Sequence, residues 1–432
     1  MKAIFKKIIT AIIKFESILI IKKYKPQIIA VTGSVGKTST KDAIFAVMSE
    51  SFFVRKSEKS FNSDIGIPLT ILGCQNAWFN PILWATNIIK GLELIIFPSN
   101  YPQWLILEVG ADRPGDIKKL SKWLKPNIVV LTAFAKTPVH VEYFKDRDAV
   151  VREKKYLVDA LKHDGMLIVN GDDHDSMKIK DSSKNISIVY GTDKLSDLVA
   201  SESKNYYGTN GEIEGITFKV EYGGNVVPIV IKGSLGAKSI YSSLAAIAVG
   251  LTQKINIVKS AEALLKLEVS KGRMRIIEGI KNTIIIDDTY NSSPVALTSA
   301  LYSLKHLNVM KGGRKIAVLG DMMELGRHSV DEHYKAGKIV AEVCNILFTV
   351  GIRSRKIAEG ALDEQMDEKN IFQFEDSVSA GIALQNILKK NDMILVKGSQ
   401  CVRMEKVVEE IMFEPEKASE LLVRQEKEWL NK

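Results

Sequence analysis

The chain has 432 residues, 46% hydrophobic and 26% charged, a globular composition that excludes a disordered protein. At roughly 100–200 residues per domain it predicts two or three domains. The net charge of +9 comes from scattered lysines, with no run that would make a nucleic-acid arm, so the bias is toward anionic partners.

Three cysteines, Cys74, Cys344 and Cys401, lie far apart and form no CxxC pair. Neither a zinc knuckle nor a disulfide framework is suggested, and a reducing cytoplasm is the expected compartment. The first 26 residues, "MKAIFKKIITAIIKFESILIIKKYKP", are basic and apolar. Lys14 and Glu16 interrupt the apolar run, which argues against both a signal peptide and a spanning helix. What remains is an amphipathic helix. It either packs on the protein's own surface or lies in a membrane interface, lysines toward the headgroups.

"QIIAVTG" is a short buried strand by its apolar run, and "GKTSTKDAIFAVMSE" has helical period. Strand, glycine-rich turn and helix are the setting of a phosphate loop. The turn is shorter than G-x-x-x-x-G-K-[ST], because Val31 stands where the first glycine would be. Its predicted parts are Gly33, Ser34, Val35 and Gly36, followed by Lys37, Thr38 and Ser39 at the helix start. Backbone N–H groups would turn inward on a phosphate, Lys37 would meet the β- and γ-phosphates, and Thr38 would ligate magnesium.

"NAWFNPILWATNIIKGLELIIFPSNYPQW" follows, apolar and rich in Trp and Pro. It reads either as an extra core layer or as a contact surface. "WLILEVGA", "PNIVVLTAF", "GMLIVNGDD" and "NISIVYG" are further buried strands. Alternation with helices predicts a parallel sheet covered on both faces. Glu108 ends one of these strands, where a carboxylate needs a partner such as a bridging metal or a lysine. His140 in "TPVHVEYF" and Lys154 in "REKKYL" are each unremarkable alone. From about Ser203 to Ile231, alternating strands with Gly and Asn turns predict antiparallel hairpins added to the sheet. "SIYSSLAAIAVGL" reads as a buried helix.

After "SKGRMRIIEG" the pattern restarts. "NTIIIDDTY", "RKIAVLGDM", "NILFTVG" and "DMILVKGS" predict a second doubly wound sheet, with the boundary near Gly272. The fold class is α/β: a central P-loop parallel-sheet ATPase domain with an appended antiparallel portion, then a C-terminal Rossmann-like domain. The expected units are residues 1–26, 27–271 and 272–432. The strand ends with Asn291, Asp321 and Lys397 lie where open α/β sheets bind ligands. The tail after Pro415 reads as a charged helix.

In order, "TGSVGKTSTK", "FNSDIGIPLTIL", "LEVGADRPGDI", "HVEYFKDRD", "REKKYL", "GRM", "DDTYNSSP", "GDMMELG" and "VKGS" resemble the Mur ligase family over about Ile28 to Val408. "DDTYNSSP" with "GDMMELG" favours the branch that adds D-Ala-D-Ala to a muramoyl peptide. The resemblance implies ATP-dependent amide formation through an acyl phosphate, with two Mg2+ ions. It assigns Thr38 and Glu108 to the first ion, and His140, Glu108 and Lys154 to the second. Lys154 would be carbamylated, with Lys155 the alternative. Arg273 would meet the γ-phosphate, and Asn291 and Asp321 would hold adenine and ribose. The implied partners are ATP, a muramoyl-peptide or related carboxylate acceptor, and D-Ala-D-Ala or another amine, with no nucleic acid and a possible peripheral membrane contact.

Three departures stand out. "KSIYSSLAA" puts Lys238, Ser239 and Ser242 where the family usually has H-N-x-x-N-x-x-A-A. No Asn precedes His140 in "LTAFAKTPVH". About thirty residues precede the loop, where the family usually carries a domain that grips UDP. The alternatives kept open are a Mur-like ligase on another acceptor, polyglutamate-type or membrane-linked, and a nucleotide-binding regulatory protein without ligase activity.

Overall fold

A computed structural model describes residues 2–57, 61–78, 80–134 and 143–430. His140 lies outside these residues.

The strand β1 (Gln27–Thr32) is the third from one edge of a nine-stranded sheet. Its neighbours are β3 (Trp104–Glu108) and β4 (Ile128–Leu131), with β2 (Val54–Lys56) at one edge. On the other side follow β5 (Met166–Asn170), β6 (Ile186–Gly191) and β7 (Leu198–Tyr207), all parallel. Then β8 (Ile213–Tyr222) and β9 (Asn225–Lys232) reverse direction, so the expected hairpins extend the same sheet.

The unbroken apolar runs follow from burial on both faces. Ile29 and Val31 of β1 belong to one core, and Ile28 and Ala30 to the other. The first core is covered by α2 (Lys37–Ser49) and α8 (Ala237–Thr252), which pack on each other. Ala245, Ala246 and Ala248 in α8 carry little side chain, which suits a close approach between helices.

The second core is covered by α1 (Lys2–Tyr24), α3 (Gly66–Leu72) and α4 (Pro81–Ile96), among others. Helices α1 and α4 run side by side in the same direction. Near their starts Ile9 and Trp84 are both buried in this core. Further along, Glu16 lies against Gly91, where an added Cβ would stand 2.3 Å from Oε2. At the ends, Lys23 Nζ donates to the carbonyls of Leu94, Ile95 and Phe97 at 2.9, 3.0 and 2.6 Å, capping α4. Ser17 Oγ donates to the Ile13 carbonyl at 2.7 Å, an i−4 bond that satisfies a buried hydroxyl. The N-terminal helix therefore packs on the protein's own surface, one of its two expected roles. The Trp-rich segment forms α4, of which only Trp84, Asn87 and Gly91 are buried, too little for a full core layer.

The second sheet has the order β10 (Arg275–Gly279), β11 (Thr283–Asp288), β15 (Met393–Lys397), β12 (Lys315–Gly320), β13 (Ile346–Val350) and β14 (Ile371–Phe374). Only β10 is antiparallel. Phe348 of β13 stacks between Phe372 and Phe374 of β14, at 4.8 and 5.5 Å between centroids. The strands β2, β10 and β14 go beyond the sequence reading; each is an edge strand, and β2 has 3 residues and β14 has 4.

The tail corrects an expectation. It is not one helix after Pro415 but two short turns, Ala418–Leu421 and Lys427–Leu430, with Arg424 buried between them at φ 60°. Arg424 Nη1 bonds Glu405 at 2.8 Å and the Thr289 carbonyl at 3.1 Å. A buried guanidinium satisfied from two elements outweighs the helical period of the surrounding charges. Trp429 then meets Trp78, just before α4, edge to face at 6.5 Å.

Candidate active site

Between the two sheets lies a cleft of about 1850 Å³, lined from both sides. The phosphate loop forms its floor. Gly33 (φ 147°) and Gly36 (φ 85°) take conformations open mainly to glycine. A Cβ on Gly33 would stand 1.9 Å from Thr132 Oγ1. The expected cradle of inward N–H groups is only partly formed. Ser34 and Val35 donate to the Ala133 carbonyl at 2.8 and 3.1 Å, and Lys37 Nζ to the carbonyls of Gly33 and Ser34 at 3.0 and 3.3 Å. Donors in a tight loop take the nearest carbonyl. Burial, with Arg273 adding to it, holds Lys37 below the ordinary lysine range, while Glu108 works the other way.

Thr38 opens α2 beside the end of β3. Its Oγ1 donates to Glu108 Oε2 at 2.9 Å, and Asn62 Nδ2 donates to Glu108 Oε1 at 3.4 Å. Glu108 is 2% exposed, so this is a buried carboxylate beside a hydroxyl. A hydroxyl and a carboxylate are the hard oxygen donors that magnesium takes, with phosphate oxygens and water completing the shell. The residues present therefore fit the first ion. Among the described residues no three His, Cys, Asp or Glu side chains group into a metal site, so such an ion would rely on the phosphates.

Lys154 lies on α6 (Arg147–Asp159), 5% exposed and lining the cleft. Burial, then the charge of Lys37, pushes its pKa down to about 7; Glu153, Asp112 and Glu108 pull the other way. It has no ion-pair partner among the described residues. Its neighbour Glu153 turns the opposite way and accepts N–H bonds from Gly115 (2.9 Å), Ile117 (2.7 Å) and Lys118 (3.1 Å). That ties α6 to the start of the short helix α5 (Asp116–Leu120) and sets where Lys154 stands. Lys155 bonds Asp159 at 2.7 Å and does not line the cleft, whereas Lys154 does.

The second domain contributes Arg273, whose Nη2 donates to Thr38 Oγ1 at 3.4 Å. Its guanidinium stacks 4.0 Å from the ring centre of Tyr290, and its buried Nε has no bonding partner among the described residues. Behind it Lys397 pairs with Asp288 at 2.6 Å and donates to the Asn291 carbonyl at 2.8 Å. Burial lowers the Lys397 pKa to about 8, against the pull of Asp288. Burial alone would raise the Asp288 carboxyl; Lys238 and Lys397 outweigh it and hold it below the ordinary range. Lys238, one of the departures at the start of α8, thus works inside the cleft, 3.7 Å from Asp288.

The structure brings Gly33 to Ser39, Glu108, Lys154, Arg273 and Asn291 to one cleft. Asp321 stands apart. Its carboxylate accepts the Ser354 N–H at 2.8 Å and lies 3.7 Å from Arg353, at the head of the helix Arg355–Asp363. It does not line the cleft. Asn62, Tyr290 and Glu153 are contributors that no local pattern singled out.

A P-loop on one α/β domain, facing an arginine and a lysine–aspartate pair on a second, defines a nucleotide-dependent enzyme that works between two domains. The family described as the Mur ligase middle domain matches residues 31–250, and the one described as Mur ligase, glutamate ligase domain matches residues 272–400. The chain belongs to the Mur ligase family. The UDP-N-acetylmuramoyl-tripeptide--D-alanyl-D-alanine ligase of Bacillus subtilis is 29% identical over 393 residues, which cover 90% of this chain and 76% of that one. Its Escherichia coli counterpart is 25% identical over 389 residues, 88% and 76% of the two chains. The crystal structure of the MurF ligase from Thermotoga maritima in complex with ADP matches with a TM-score of 0.76 at 24% identity, covering 95% of this chain and 84% of that one.

Proposed function

We propose that the protein is an ATP-dependent peptide ligase that joins D-Ala-D-Ala to a muramoyl peptide through an acyl phosphate. The observation that carries this is the convergence of Lys37, the Thr38–Glu108 pair, buried Lys154 and Arg273 of the other domain on one cleft. In the first step an acceptor carboxylate oxygen bonds to the γ-phosphorus and ADP leaves. In the second the amine attacks the acyl carbon, an amide forms, and phosphate leaves with loss of a proton from nitrogen.

The residues divide this work. Lys37 and Arg273 neutralise charge on the transferred phosphoryl group. Asn291 and Asp321 would hold adenine and ribose, Asn291 from the lining of the cleft itself. Thr38 and Glu108 would hold one Mg2+, and Glu108, His140 and Lys154 a second. Bound there, the ions would screen the phosphates so that a carboxylate can approach.

A cationic lysine cannot ligate a cation. The lowered pKa of Lys154 leaves much of the amine neutral near pH 7, the form that attacks CO2. The N–C bond forms as a C–O π bond of CO2 opens, one proton is released from nitrogen, and the neutral amine becomes a carbamate anion. The working units are 1–26, 27–271 and 272–432. The site of action is the cytoplasm, with peripheral membrane contact through α1.

A second reading keeps the chemistry and changes the acceptor. Ile9, Phe61, Leu69, Trp78 and Trp84 give one wall of the cleft an apolar lining, suited to an acceptor with an apolar part. The experiment is phosphate release from ATP with UDP-muramoyl tripeptide and D-Ala-D-Ala, each omitted in turn. Release that needs both supports the first reading. Release with the amine only when a different acceptor is supplied supports the second. ATP binding without amine-dependent release would overturn both and leave a nucleotide-binding regulatory protein.

A further inference from the structure

We propose that the paired helices α1 and α4 form a face that docks on an anionic lipid bilayer; the inference rests on the ligase reading only for what docking would bring near the membrane. Helix α4 is apolar beyond the stripe an ordinary surface helix buries. It buries Trp84, Asn87 and Gly91, and Ile88, Leu94 and Ile95 pack half-buried on the core. It exposes Ile82, Ile89 and Ile96 by 75%, 56% and 66%, and these three stand on one side of the helix. Beside it α1 exposes Ile8 and Phe15 by 53% and 61%. Contiguous apolar exposure of this kind marks a contact surface.

The charges select the occupant. Lys7, Lys22 and Lys25 on and just after α1, and Lys90 on α4, are exposed. Glu16, the one acidic residue of α1, is buried, which leaves Glu93 as the exposed acid of the pair. Two copies of the chain placed face to face would set lysines against lysines. Anionic headgroups would meet lysines around an apolar strip, the pattern of a helix lying in the interface plane. Among the described residues no helix is long and apolar enough to cross a membrane, so the contact is peripheral. Ile9 on α1 and Trp84 on α4 also line the cleft, so a docked face would hold the cleft beside the lipid surface.

The test is co-sedimentation of the full chain with vesicles of phosphatidylcholine, alone or with phosphatidylglycerol, at low and high salt. The expected result is binding that needs phosphatidylglycerol and weakens with salt. The triple variant Ile82→Glu, Ile89→Glu, Ile96→Glu should lose about tenfold or more in vesicle affinity. Its ATP-dependent turnover on a soluble acceptor should be unchanged, because none of the three lines the cleft. The charge variant Lys7→Glu, Lys22→Glu should lose binding to the anionic vesicles, and serves if the triple variant folds poorly. A wild type left in the supernatant with anionic vesicles would overturn the proposal. So would variants that bind as well as wild type, or a self-association that the triple variant abolishes without any vesicle binding. Loss of turnover in wild type would instead count against the ligase reading, in a separate arm.

Discussion

Replacing Lys154 with methionine should stabilise the protein while ending its turnover. The amine is buried, and its pKa falls from 10.5 to about 7. At 1.36 kcal/mol for each pH unit, that interval makes folding with a protonated Lys154 about 4–5 kcal/mol more costly than folding with a neutral amine. Methionine keeps an unbranched stem of similar length without the charge. Imperfect packing reduces the gain to about 2–4 kcal/mol. At about 2–4 °C for each kcal/mol, the expected rise in Tm is roughly 4–16 °C.

The assay is thermal and urea unfolding at neutral pH in degassed buffer free of bicarbonate. The pH dependence carries a second signature. The folded pKa lies below the unfolded one, so the unfolded chain binds more protons between about 7 and 10.5, and wild-type stability rises with pH across that window. The methionine variant should lack that rise. A variant less stable than wild type, or one with the same pH slope, would refute the account of Lys154 as a buried, unpaired amine.

Gly33→Ala should weaken ATP binding by about tenfold or more, because its Cβ would stand 1.9 Å from Thr132 Oγ1 in a strained conformation; titration with a fluorescent ATP analogue measures it. Glu153→Gln should cost about 1–3 kcal/mol in unfolding free energy, since a neutral amide replaces a charge that accepts three N–H groups; an unchanged urea midpoint would contradict this. Arg273→Ala should lower kcat by about 100-fold with a smaller change in KM for ATP, read by steady-state kinetics. Burial raises the Glu16 carboxyl to about 7 from 4.5, so its folded form keeps a proton that the unfolded chain releases, and its contribution to stability falls as pH rises between those values. Glu16→Gln should flatten that fall, followed by thermal unfolding across the same pH range.

How far the site could be read depended on whether a role was local. The run from Ile28 to Thr38 is local: a strand buried on both faces, a turn that needs glycine, and a helix start. Glu108 was legible for a similar reason, as a carboxylate ending an apolar strand. Asn62, Tyr290 and Glu153 gain their roles only when distant segments meet, so no spacing announces them. Asp321 stands at a strand end as ligand residues do, and its carboxylate also accepts the Ser354 N–H before a helix, a contact that no sequence spacing announces. The edge strands β2 and β14 are too short to carry a period. The tail looked helical because its charges recur at helical spacing, while the two carbonyls and the carboxylate that hold Arg424 lie elsewhere in the chain.

Residues 419–430 have a mechanical consequence. They leave the second domain, thread past the cleft, and set an indole against Trp78 of the first. Opening the enzyme wide enough to exchange substrates would have to peel that indole away or swing the whole segment along. The second domain thus reaches the first through this segment as well as across the cleft.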